Sequence, residues 1–254
     1  LLDLSLVPSE LLDKREVRIR RMFGQIAPCY DLLNHLLSLT IDKQWRSKTA
    51  QLVPPGPASA GPILDLCTGT GDLALTYYRA TAGGVPIIGA DFCHEMLVRA
   101  ARKAQQMGCS DRVRFVEADA QWLPFADDTF QLVTVAFGLR NVTDPDRGLA
   151  EMIRVTRPGG RVAVLEFSRP CHWLFGRLYR WYFRYALPLV GQLVSRNRES
   201  AYRYLPESVL TFPDYEELAS KLRSHGLVEV KYQPLTFGIA TLYAGMKPER
   251  GVSV

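Results

Sequence analysis

Ile63-Leu64-Asp65-Leu66, followed by Cys67-Thr68-Gly69-Thr70-Gly71-Asp72, is a short apolar strand running through a glycine-rich turn into a helix. The two glycines let the chain turn tightly and let a ligand approach the backbone without a Cβ in the way. Outward from this unit the same alternation repeats. Pro86 to Asp91 reads as a second strand, Glu95 to Met107 as a helix, and Val113 to Asp119 as a third strand. Phe130 to Leu139 reads as a fourth strand and Pro145 to Val155 as a helix. Pro158-Gly159-Gly160 is a turn into a fifth strand, Arg161 to Phe167. Strands and helices alternating at this spacing predict an α/β fold, with a parallel sheet covered on both faces.

The flanks differ. Residues 15–52 read as two or three helices, with Pro28 breaking the first. The run Val53-Pro54-Pro55-Gly56-Pro57-Ala58-Ser59-Ala60-Gly61-Pro62 suits neither helix nor strand and separates them from the first strand. Towards the end, Pro213 to His225 is a predicted helix, and Leu227–Tyr232 and Ile239–Met246 are two strands. The joint between them, Pro234 to Gly238, is too short for a crossover, so this pair is expected to be antiparallel.

Composition narrows the class. Of 254 residues, 47% are hydrophobic and 22% charged, enough apolar material for a single packed domain. The five cysteines (Cys29, Cys67, Cys93, Cys109, Cys171) are dispersed, which argues for buried thiols in a reducing compartment and against a disulfide framework. His172 and His225 stand alone, so no metal is expected. The net charge of +5 suits anionic membranes, anionic substrates or nucleic acid. No signal pattern opens the chain, and no uncharged apolar run reaches the roughly 18 residues of a spanning helix, so a soluble or membrane-surface protein is expected.

Four features fall at the carboxyl ends of successive strands, where open α/β sheets bind ligands. These are the loop with Asp65, Gly69, Thr70 and Gly71; Asp91, suited to a ribose; Asp119-Ala120, suited to an adenine; and Ala136-Phe137-Gly138 beside them. Gly69-Thr70-Gly71-x-x-Ala74 also fits a dinucleotide fingerprint, so a nicotinamide-dependent oxidoreductase is one reading. Asp72, however, places an anion where a helix N-terminus would receive a pyrophosphate. The sulfonium and ammonium of S-adenosylmethionine would instead be favoured beside Asp65 and Asp72.

Further stretches carry a resemblance: Met22-Phe23-x-x-Ile26-Ala27-Pro28-x-Tyr30-Asp31-Leu32-Leu33-Asn34, Leu123-Pro124-Phe125, Phe137-Gly138-Leu139-Arg140-Asn141-Val142, Arg157-Pro158-Gly159-Gly160-Arg161, Glu166-Phe167-Ser168, Tyr202-Arg203-Tyr204-Leu205-Pro206-Glu207-Ser208 and Gly238-Ile239-Ala240. From about Met22 to Lys247 the chain resembles the ubiquinone/menaquinone biosynthesis C-methyltransferases. The resemblance implies a class I, Rossmann-like, S-adenosylmethionine-dependent methyltransferase. Its sheet would have seven mostly parallel strands, an antiparallel last strand and added N-terminal helices. One domain is expected: a helical lid to residue 52, a cofactor-binding core over 62–168, a helical substrate or membrane insertion over 169–212, and a helix and strand pair over 213–247.

The implied cofactor contacts are Thr70, Asp91, Asp119, Ala120 and Ala136, the last standing where several relatives have a hydroxyl residue. The implied reaction is methylation of a ring carbon of a polyprenyl hydroquinone. That chemistry needs a polarised phenol and alignment of carbon, methyl and sulfur. Arg140 and Asn141, with Tyr30 as a lid, are the candidates; for Arg140 an ion pair with a neighbouring carboxylate is the competing reading. Trp173 to Val194 interleaves aromatic residues with Arg177, Arg180 and Arg184 on one helical face, as suits a membrane interface, a channel wall or a packed amphipathic helix. A cytoplasmic enzyme is expected, free or peripheral on the inner membrane face, with a homodimer left open. A nucleic-acid substrate is disfavoured, because Phe137-Gly138-Leu139-Arg140-Asn141 stands where an Asn/Asp-Pro-Pro-aromatic run would be expected.

Overall fold

The computed structural model describes residues 16–27, 30–31, 40–170 and 208–249. The sheet consists of β1 (Ile63–Leu66), β2 (Ile87–Asp91), β3 (Val113–Glu117), β4 (Phe130–Ala136), β5 (Thr156–Phe167), β6 (Val228–Leu235) and β7 (Ala240–Met246). Around it stand α1 (Glu16–Ile26), α2 (Ile41–Leu52), α3 (Asp72–Ala80), α4 (His94–Gln106), α5 (Pro145–Val155) and α6 (Tyr215–Ser224). The strand order is β3-β2-β1-β4-β5-β7-β6. Neighbours from β3 to β5 are parallel, and β7 runs antiparallel to both β5 and β6, as the short joint predicts.

Because side chains alternate along a strand, adjacent residues feed opposite cores. Leu64 and Val133 join Leu149 and Met152 of α5 and Leu218 and Leu222 of α6. Ile63 and Leu132 join Leu73 and Tyr77 of α3, Ala104 of α4 and Trp45 of α2. Every residue of β1 is buried, as a central parallel strand with helices on both faces requires. Chain connection reverses direction beside β1, towards β2 on one side and β4 on the other, and a crevice opens there at the strands' carboxyl ends.

Helix α5 matches its expected span. Asp144 caps it by accepting hydrogen bonds from the backbone N–H groups of Asp146 and Arg147, and Pro145 fills the first turn. Other boundaries differ for local reasons. β4 stops at Ala136 instead of Leu139, because Phe137 takes a left-handed conformation (φ 57°) and Leu139–Asn141 form a 3₁₀ turn. β5 starts at Thr156: Phe130 pairs with Thr156 and Leu132 with Arg161, so the Pro-Gly-Gly turn bulges out of a continuing strand. β3 ends at Glu117, and Asp119 bridges back to Trp122. β6 continues through Pro234 to Leu235; as the sheet's edge strand it tolerates a residue without an N–H.

The expectations for Pro28, Cys29, Cys171, His172, Trp173–Val194 and Tyr202 to Glu207 lie outside the described residues. Of the remaining cysteines, Cys93 and Cys109 are buried and Cys67 is half-buried, all as free thiols. Among the described residues no helix is long and apolar enough to cross a membrane.

Lys247 ties the end of β7 to the β4–α5–β5 corner. Its Nζ lies 2.7 Å from Asp128 Oδ1, 2.8 Å from the Ile153 carbonyl, 3.2 Å from that of Arg154 and 2.7 Å from that of Thr156. Lys247→Met would leave these acceptors largely unpartnered, at a cost of roughly 2 kcal/mol. The expected fall in Tm is about 4–8 °C, read by thermal unfolding.

Candidate active site

At the end of β1 the chain enters the loop through three left-handed residues: Cys67 (φ 50°), Gly69 (φ 56°) and Gly71 (φ 82°). Asp65 holds this shape from below. Its carboxylate accepts from Thr68 Oγ1 at 2.5 Å, Thr134 Oγ1 at 3.0 Å and the Ala74 N–H at 3.1 Å. Burial pushes its carboxyl up to about 6, against those three hydrogen bonds, which pull it down. A Cβ on Gly71 would stand 3.0 Å from the Phe115 ring, so that position needs glycine for space as well as conformation.

Asp91 closes the loop from the β2 side. One carboxylate oxygen accepts from the Gly69 N–H at 2.8 Å and the other from the Cys93 N–H at 2.9 Å. Burial raises this carboxyl to about 6 as well, with the same N–H groups opposing. Asp119, after β3, accepts from Gln121 N at 2.9 Å and from its side-chain amide. Across the crevice, Gly138 lies so close to the loop that a Cβ there would sit 2.3 Å from Cys67 Cβ. Burial, with Asp91 and Asp65 adding, holds the Cys67 thiol well above the ordinary thiol range. A nucleophilic cysteine would need the opposite.

These elements line an open cleft at the carboxyl ends of the strands. Of the residues expected at the site, Tyr30, Gly69, Asp91, Asp119, Ala120, Ala136 and Asn141 line it. Asp65, Thr70, Gly71 and Arg140 do not: they lie behind it or beside it. The Thr70 hydroxyl donates to Asp31 Oδ1 at 2.5 Å and accepts from Lys103 Nζ at 2.9 Å. Asp72, expected near the cations of a cofactor, is taken by Lys103 at 2.7 Å and Arg46 at 3.9 Å.

Arg140 takes the ion-pair reading. It is buried, its Nη1 donates to Glu166 Oε1 at 2.7 Å and to the Phe137 carbonyl, and its guanidinium stands 5.2 Å from the Phe167 ring centre. Asn141 Nδ2 donates to the same carbonyl at 3.3 Å. Asn141 Oδ1 is buried and accepts no hydrogen bond among the described residues. The cleft is also lined by Ile19, Phe23, Phe92 and Met96, which sequence reading passed over. The signal for the first two was their i, i+4 spacing on one face of α1; for Phe92 it was adjacency to Asp91.

Residues 11–247 match the ubiE/COQ5 methyltransferase family. The chain belongs to that family. It is 48% identical over 227 residues to a demethylmenaquinone methyltransferase of Thermus thermophilus, covering 89% of this chain and all of that one. It is 44% identical over 236 residues to a ubiquinone/menaquinone biosynthesis C-methyltransferase of Geobacter sulfurreducens, covering 93% and 91%. In fold it resembles a solved S-adenosylmethionine-dependent methyltransferase from Thermotoga maritima, with a TM-score of 0.65, 19% identity and coverage of 90% and 99%. This enzyme is an S-adenosylmethionine-dependent C-methyltransferase.

The Arg140–Glu166 pair has side chains only 7% and 1% exposed, so each charge depends on the other. Glu166→Gln leaves the guanidinium buried without a counter-charge, at a cost of roughly 3 kcal/mol. Thermal unfolding of the variant is expected to show a Tm lower by about 6–12 °C.

Proposed function

We propose that the enzyme methylates a ring carbon of a polyprenyl hydroquinone, with demethylmenaquinol as its first substrate and a methoxy-polyprenyl-benzoquinol as the alternative ring. The relatives from Thermus thermophilus and Deinococcus radiodurans, at 48% and 47% identity, are both named demethylmenaquinone methyltransferases, which favours the naphthoquinol. The observation that carries the reading is Asn141 Oδ1, a buried acceptor on a residue that lines the cleft, as Tyr30 does. A phenolic hydroxyl donating to that oxygen would gain a partner that no described residue provides.

Asp91 would accept from the ribose hydroxyls, Asp119 would meet the adenine end, and Gly69, Ala120 and Ala136 would leave room between them. S-adenosylmethionine, when bound, provides an electrophilic methyl group on sulfur. Asn141 orients the ring by its hydroxyl and draws the O–H bond towards itself, which makes the ring carbon more nucleophilic. Tyr30 covers the cleft and excludes water. Arg140 stands behind the rim as a fixed cation balanced by Glu166. It holds the Phe137 carbonyl and Asn141 in place and favours negative charge developing on the phenol oxygen. Arginine stays protonated and so is not the base that removes the ring proton. The polyprenyl tail partitions into lipid, so we place the reaction at a bilayer surface, where a net charge of +5 suits anionic headgroups.

Transfer of labelled methyl from S-adenosylmethionine to reduced demethylmenaquinone, with the benzoquinol in parallel, tests the reading. Label on the naphthoquinol ring carbon is the expected result; no transfer to either ring, with cofactor binding intact, would overturn it. Asn141→Leu and Arg140→Ala should bind the cofactor within a few-fold of wild type and lose roughly a hundredfold in turnover.

The Asp91 carboxyl, raised to about 6, sets a pH dependence. Ribose hydroxyls donate to the ionised form, so cofactor affinity should be full above pH 6 and fall about tenfold per unit below it, where a proton must leave first. Calorimetric titration from pH 5 to 8 reads this. Asp91→Asn should bind weakly at every pH, with a shallower profile left to Asp65, whose carboxyl burial also raises to about 6.

A further inference from the structure

The turn after β3 is tied to the start of α5 through one side-chain amide. Asp119 and Trp122 close that turn, the Trp122 N–H donating to the Asp119 carbonyl at 3.0 Å. Within it, Gln121 serves both neighbours. Its backbone N–H donates to Asp119 Oδ1 at 2.9 Å, and its Nε2 lies 3.1 Å from that oxygen and 3.2 Å from Oδ2. Its Oε1 accepts from the Asp144 N–H at 3.0 Å, and its carbonyl accepts from Arg147 Nε at 3.0 Å. Chemistry fixes this orientation of the amide, since the carboxylate needs a donor and the N–H an acceptor.

The Asp144 contact has a local cause. Asp144 is the N-cap of α5; its carboxylate accepts from the N–H groups of Asp146 and Arg147, and Pro145 has no N–H to satisfy. That leaves the N–H of the cap residue itself. In a capping box the third helical residue would accept it, but here that residue is Arg147, which carries no acceptor. Gln121 takes its place from 23 residues away.

We propose that Gln121 is a positioning residue that aims the Asp119 carboxylate and so sets the enzyme's preference for adenine. The proposal rests on the placement of adenine at Asp119 and not on the identity of the quinol. A carboxylate oxygen accepts about two hydrogen bonds. Among the described residues Oδ1 has two donors and Oδ2 has one, so the position left for a ligand is on Oδ2. The exocyclic amino group of adenine can donate there; a purine without that group cannot. Asp119 and Gln121 both line the cleft, yet the polar atoms of the Gln121 side chain are already taken, so its part is to hold the carboxylate rather than to meet the base. Turning Asp119 about its Cβ–Cγ bond would break the bonds to Nε2, which the start of α5 keeps in place.

The probes are S-adenosylhomocysteine and its analogue with unsubstituted purine in place of adenine, titrated calorimetrically at pH 8 without any quinol. Wild type is expected to bind the adenine ligand about thirtyfold tighter, the effect of one hydrogen bond to a charged acceptor. Gln121→Leu should lower that ratio to about threefold, with affinity for the purine analogue kept within about twofold. Gln121→Glu keeps an acceptor for the Asp144 N–H but sets a second carboxylate against Asp119, so it should lose the ratio as Gln121→Leu does. Asp119→Ala should bring it to about one. A wild-type ratio in Gln121→Glu, or losses shared equally by the two ligands, would overturn the proposal, because Gln121 would then serve the helix cap alone. Should Gln121→Leu fail to fold, Gln121→Glu decides by the same ratio. An unchanged ratio in Asp119→Ala would overturn the placement of adenine, and the proposal with it.

Discussion

Everything at this site hangs on a carboxylate that does not line the cleft. Asp65 is buried at the end of β1 and accepts from Thr68 in the loop, Thr134 in β4 and Ala74 in α3. A loop with three left-handed residues cannot make regular backbone hydrogen bonds, so it needs acceptors placed for it. Asp65 and Asp91 supply them from two adjacent strands, and burial raises both carboxyls to about 6 as the cost of doing so. The difference between them is access. Asp65 is spent on the protein, whereas Asp91 lines the cleft, and its carboxylate can accept further hydrogen bonds beyond Gly69 and Cys93.

The same economy governs the positive charges. Arg46 and Arg140 are both buried, on either side of a group formed by Trp45, Phe137 and Phe167. Arg46 stands 5.8 Å from the Phe137 ring centre and pairs with Asp42; Arg140 stands 5.2 Å from that of Phe167 and pairs with Glu166. A guanidinium survives such burial only with both a counter-charge and a face to stack on. The arrangement ties α2 to the ends of β4 and β5, so the N-terminal helices and the rim carrying Asn141 share one aromatic wall. Mobility in either would be felt by the other.

What the sequence revealed followed the range of each interaction. The glycine turn, the Asp144-Pro145 helix start and the short joint between β6 and β7 are local, and each was readable from a few consecutive residues. The five parallel strands and the residues at their ends followed from repetition of one unit. The partners of Thr70, Asp72 and Arg140 are 26 to 39 residues away in the chain, and no periodicity connects them. Each of these side chains was expected at the site because its neighbours in sequence were expected there. The end of β4 was misplaced for a related reason. Phe137 is an apolar residue in an apolar run, yet it takes a left-handed conformation where Gly138 comes close to Cys67.

That distinction also changes which feature weighs against a dinucleotide. Charge on Asp72 appeared sufficient, since an anion at the start of α3 would repel a pyrophosphate. In the folded chain Lys103 and Arg46 both approach Asp72, so most of that repulsion is neutralised. A firmer obstacle is a donor already taken. A pyrophosphate at a helix N-terminus binds through the first free N–H groups. At α3 the Ala74 N–H is held by Asp65, and the Gly69 N–H just before the helix is held by Asp91. Two carboxylates of the protein thus occupy donors that a phosphate would require, whereas a nucleoside with no phosphate has no need of them. The feature that weighs against a dinucleotide is thus the set of hydrogen-bond partners of the loop, one layer beneath the cleft, rather than the charge of Asp72.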